Sequence, residues 1–89
     1  NITLIAVATG TPPLVNPTVF QMFVDGTPVP NSTSIGVTSN SAHVITQTPR
    51  AGYIFQSLTG SPQCPAVLGG TATLSEGQAI TCTITNLKL

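Results

Sequence analysis

The side chains able to do chemistry are few: Cys64 and Cys82, the lone His43, the carboxylates Asp25 and Glu76, and the bases Arg50 and Lys88. Two thiols and an imidazole make three metal ligands, one short of the four that close a structural zinc site. Two cysteines in a small threonine-rich chain also fit a single disulfide and an oxidising compartment, and that is the expected use of Cys64 and Cys82. Asp25 and Glu76 could work as an acid–base pair only in a shared cleft. Each precedes a glycine, and turn chemistry accounts for both. No serine or threonine stands out at a triad spacing from His43 and an acid. His43 reads as a packed histidine, with a pH switch as the sharper alternative. The expectation is a protein that is not an enzyme, with no catalytic, cofactor-binding or metal-binding residues.

Charge bounds the partners. Only 4% of the 89 residues are charged, and they cancel; about 25% is ordinary. One Arg and one Lys cannot build the basic surface that nucleic acid or an anionic membrane requires. No apolar run approaches the ~20 residues that span a bilayer, so membrane insertion is not expected. A chain with so little charge tends to associate, which points to copies of itself as the partner. It opens at Asn1 without a Met, which reads as a mature, processed chain. Asn1-Ile2-Thr3 and Asn31-Ser32-Thr33 match the glycosylation pattern, making Asn1 and Asn31 candidate glycan carriers.

The elements that must position these residues are strands. Gln78 to Asn86 alternates cleanly, with Ile80, Cys82, Ile84 and Asn86 on one face and Thr81, Thr83 and Thr85 on the other. Asn1 to Ala8 is a first strand, apolar on both faces. Thr9 to Pro17 is a proline-rich loop. Thr18 to Val24 is a second strand that turns at Asp25-Gly26; Thr27 to Pro30 is a short edge piece. Further strands are expected over Thr33 to Thr38, Ala42 to Thr48, Tyr53 to Leu58 and Thr71 to Ser75. Thr59 to Gly70 is a loop carrying Cys64. No segment has a helical period, and short strands parted by turn signals predict one all-β domain over 1–89. A domain this small buries only about 60% of its unfolded surface, so a covalent staple helps.

Several stretches resemble one family. Phe20 to Val29, with Val24-Asp25-Gly26-Thr27-Pro28-Val29 at its heart, is similar to the hairpin of prealbumin-like (transthyretin-like) surface domains. These are related to the B-type domains of Gram-positive pilins and collagen adhesins. Val44-Ile45-Thr46-Gln47-Thr48-Pro49-Arg50-Ala51-Gly52-Tyr53 resembles their Thr-Pro-x-x-Gly-Tyr turn. Thr71 to Gly77 followed by Thr81-Cys82-Thr83-Ile84-Thr85-Asn86 resembles their ending. The resemblance implies a prealbumin-like, Ig-like β-sandwich of about seven strands in an extracellular, cell-surface setting. It also implies a departure. Pilin-type relatives join a first-strand Lys to the last-strand Asn with help from an acid. Asn86 is retained, but the Lys position reads as Ala6 and the acid position as Gln47, so no isopeptide bond is expected. A Cys64–Cys82 disulfide would take over as the staple, worth ~3 kcal/mol.

Function is expected to be structural: a subunit of an extracellular filament or pilus-like assembly, joined non-covalently through apolar strand faces and terminal edges. The expected subunit interface comprises Ile5 and Val7 on the first strand, Val19 and Phe23 on the second, Val44, and the terminal Leu87 and Leu89. The alternative is a stalk or a carbohydrate- or protein-binding module of a larger microbial adhesin, with glycans among its partners.

Overall fold

The computed structural model describes residues 1–89. Its strands are β1 (Ile2–Gly10), β2 (Met22–Val24), β3 (Thr27–Val29), β4 (Ser34–Ile35), β5 (Ala42–Gln47), β6 (Tyr53–Gly60), β7 (Thr71–Thr73) and β8 (Ile80–Lys88). They form two four-stranded sheets packed as a sandwich: sheet I in the order β4-β1-β8-β6, sheet II in the order β3-β2-β5-β7. The strand count is eight, because the piece after Asp25-Gly26 is a full partner of β2.

Sheet I is held by its long strands. β1 and β8 run parallel through nine register pairs, from Ile2↔Ile80 to Gly10↔Lys88. Both segments are free of proline and rich in β-branched residues, which suit an extended backbone. Their inward residues Ile2, Leu4, Ala6, Ile80, Cys82 and Ile84 are all buried. β6 pairs antiparallel with the other side of β8, with an irregularity between Phe55 and Ser57. Sheet II adds Met22, Val24, Val29, Ile45 and Ala72 to the core, and Leu58 of β6, Leu74 just past β7 and Phe20 complete it.

The expected strand over Thr18 to Val24 is cut short. Pro17 to Val19 form a single 3-10 turn instead, capped by Asn16, whose side-chain oxygen accepts the Thr18 N–H at 3.1 Å. A proline early in the segment and an Asx cap favour that turn over a ladder. Phe20 is still buried and stacks edge-on against Tyr53, ring centres 5.4 Å apart. The expected strand over Thr33 to Thr38 shrinks to Ser34–Ile35, where only Ile2 and Thr3 of β1 are available as partners. Asp25 and Gly26 have φ of 53° and 78°, the two positive values of a type I′ hairpin turn.

Candidate functional site

Cys64 and Cys82 are joined by a disulfide with an S–S distance of 1.95 Å. Cys82 is inward on β8 and fully buried. Gly60 stands opposite it at the end of β6, where a Cβ would collide with the Thr81 carbonyl. The close approach lets the loop after β6 fold back and bring Cys64 to β8. The bond consumes both thiols and so removes the metal reading. A disulfide in a small domain with no helix long and apolar enough to cross a membrane fits an extracellular protein.

Two polar clusters are anchored in the sandwich by the buried His43 and Asn86. The first is built on the β2–β3 hairpin and β5. His43 is only 6% exposed. Its Nδ1 lies 2.6 Å from Asp25 Oδ2, and its Nε2 lies 2.7 Å from the Thr38 carbonyl oxygen. The other Asp25 oxygen accepts the Val44 N–H at 2.8 Å. A carboxylate and a carbonyl are both acceptors, so each ring nitrogen must donate and His43 is held as the imidazolium. The hydrogen bond to Asp25 and then the Thr38 carbonyl raise its pKa above the usual histidine range. The His43 hydrogen bond and then the Val44 N–H hold the Asp25 carboxyl below the usual carboxylate range. The Thr38 hydroxyl sits 3.4 Å from Nε2, so acid, imidazole and hydroxyl stand in triad order. They cannot act as one: a nitrogen that donates to a carbonyl has no lone pair with which to take the hydroxyl proton. A cleft of about 310 Å³ opens beside the cluster, lined by Val24, Val29, Ile35 and Val37 among others.

The second cluster is neutral and ties the two sheets together. Gln47 on β5 donates from Nε2 to Asn86 Oδ1 at 2.7 Å. Asn86 on β8 returns the bond from Nδ2 to Gln47 Oε1 at 3.2 Å, and the same nitrogen donates to the Val7 carbonyl at 3.2 Å. Asn86 is 2% exposed. Every polar atom of the buried pair is satisfied, as a low-dielectric interior demands. In the β1–β8 register Ala8 stands opposite Asn86, and Ala6 stands opposite Ile84.

The residues expected at a subunit interface fall into separate groups. Ile5, Val7 and Leu87 are half-buried on the outer face of sheet I, where register also places the exposed Ile54 beside Leu87. Phe23 and Val44 lie on the outer face of sheet II, on the opposite side of the sandwich; Phe23 stands between Pro28 and Thr46. Val19 belongs to neither face, because it sits in the 3-10 turn. Leu89 is 76% exposed, although its N–H is held by the Gly52 carbonyl at 2.9 Å. Asn1 is exposed. Asn31 is half-buried, and its amide hydrogen-bonds both the N–H and the carbonyl of Ala6 at 3.3 and 3.4 Å.

Asn86 shares its strand face with Ile80, Cys82 and Ile84, and His43 and Gln47 alternate in step with Ile45, a sequence signal that polar partners are needed inside. The Asp25–His43 link was hidden, because an Asp-Gly turn is a sufficient reason for an aspartate at that position. Compared with known proteins, the chain matches no family model, no curated protein and no solved structure.

Proposed function

We propose that this chain is a structural subunit of an extracellular, cell-surface filament and polymerises non-covalently with copies of itself. The observation that carries the reading is the way its sheet edges are finished. Proteins that stay monomeric blunt their edges with short strands, prolines or charge. β3 has three residues and contains Pro28, and β7 has three residues. The β1 edge is covered by β4, by the Ser32 N–H on the Leu4 carbonyl, and by the Asn31 amide on Ala6. β6 has none of these defences beyond its one irregularity. It is eight residues long, uncharged, proline-free, and hydrogen-bonded on one side only.

Charge does not compensate. Asp25, Arg50 and Glu76 sit in turns, and the Lys88 ammonium is spent on the Pro13 carbonyl at 2.6 Å. Both outer faces therefore present threonines and aliphatic side chains without repulsion. Apolar groups on two opposite faces suit a head-to-tail contact, which propagates where a two-fold contact would close. Sedimentation of the oxidised chain tests this. Ile54→Lys on β6, Ile5→Asp on sheet I and Phe23→Asp on sheet II should each abolish large assemblies while the monomer stays folded. Variants that assemble like the parent would sink the proposal.

A further inference from the structure

We infer that the β1–β8 ladder is a mechanical clamp, so that tension drawn between the two ends of the domain is carried as shear. The inference concerns a single molecule and holds or fails whether or not copies polymerise.

The geometry is set by a parallel pairing of the first and last strands. Asn1 enters beside the start of β8, its ammonium on the Gln78 carbonyl at 2.8 Å. Leu89 leaves at the far end, just past the Gly10↔Lys88 pair. Pulling on these ends draws β1 and β8 in opposite directions along their own axes. All nine register pairs are then loaded together, and none can open ahead of its neighbours. Pulling at one end of the pair would instead open them in turn.

Three features oppose sliding. β8 is hydrogen-bonded on both sides, to β1 and to β6. A slip by one residue would carry Ile2, Leu4 and Ala6 from the core to the outer face, so the adjacent register is closed to sliding. Asn86 ties the same region across to Gln47 and Val7. The disulfide sits inside the clamp at Cys82 and keeps the chain between Cys64 and Cys82, a separation of 18 residues, out of any extension. Nothing comparable exists in sheet II, where no strand carries a chain end.

The test is single-molecule force spectroscopy of the full oxidised chain. Handles are placed at Asn1 and Leu89 in one sample and at Thr11 and Leu89 in the other, through encoded non-cysteine attachment residues. Thr11 is exposed and just past β1, so the second geometry peels the same ladder from one end. Forced unfolding reports the unfolding barrier. The Asn1–Leu89 geometry should unfold at a several-fold higher mean force at equal loading rate. Reduction should lengthen the contour released after that peak by about 60 Å, at about 3.3–3.6 Å for each freed residue. Equal or lower force in the Asn1–Leu89 geometry would overturn the inference. So would a released contour indifferent to reduction, because the rupture would then not pass through β8.

Discussion

Sheet I and sheet II have the same number of strands and very different lengths. Three strands of sheet I have eight or nine residues, whereas the longest strand of sheet II has six and its other three have three each. The cause is in the local chemistry. β1 and β8 are proline-free runs rich in β-branched residues, while the segments of sheet II are broken by Pro17, the Asp25-Gly26 turn, Pro28, Pro30 and the Gly69-Gly70 pair. The difference divides the labour. Sheet I holds both chain ends, the disulfide and the open edge. Sheet II holds the tight turn, the ionised His43–Asp25 pair and the cleft beside it. Covalent and ladder contacts in sheet I should therefore dominate stability, with the charged pair of sheet II a smaller, pH-dependent addition.

The largest effect should come from the staple of sheet I. Cys64→Ser leaves Cys82 in place and opens the disulfide-closed loop, which should cost about 3 kcal/mol in urea unfolding. A loss under about 1 kcal/mol would mean that the ladder holds sheet I without help.

The tie between the sheets comes next. Asn86→Ala strands the Gln47 amide in the interior and should cost about 1–3 kcal/mol. Adding Gln47→Leu should recover part of that loss, because the stranded group is removed. Strict additivity in this double-mutant cycle would show that the pair is not coupled.

The smallest effect belongs to sheet II, where Asp25 is 47% exposed and its attraction to His43 is screened by water. His43 has a folded pKa raised above 6.5, so its contribution is complete below pH 6.5 and is lost as pH rises through the raised value. Asp25 has a folded pKa lowered below 3.8, so its contribution is present above 3.8 and is lost as pH falls through the lowered value. Melting temperature should be highest in the window between, and His43→Gln should flatten the alkaline limb. An alkaline decline that survives His43→Gln would place its origin elsewhere. No other charged side chain pairs with either group.

Much of this division was legible in the sequence. The alternation of Gln78 to Asn86 and the apolar first strand predicted the long strands of sheet I, and a lone pair of cysteines pointed to the disulfide. Asp-Gly located the hairpin. What stayed hidden depended on contacts between distant segments. Parity could put Gln47 and Asn86 inside without saying that they face each other across the sandwich. Thr18 to Val19 has strand composition, and only the neighbouring Pro17 and Asn16 divert it into a turn. Outward parity likewise could not tell that Ile5 and Phe23 belong to opposite faces, since that depends on which sheet each strand joins.

The most direct test of the structural-subunit reading is negative-stain electron microscopy of the purified, oxidised chain over rising concentration at neutral pH. The account predicts fibres from the parent and isolated particles from Ile54→Lys, whose charge falls on the open β6 edge. A parent that stays monodisperse at the highest concentration would contradict it.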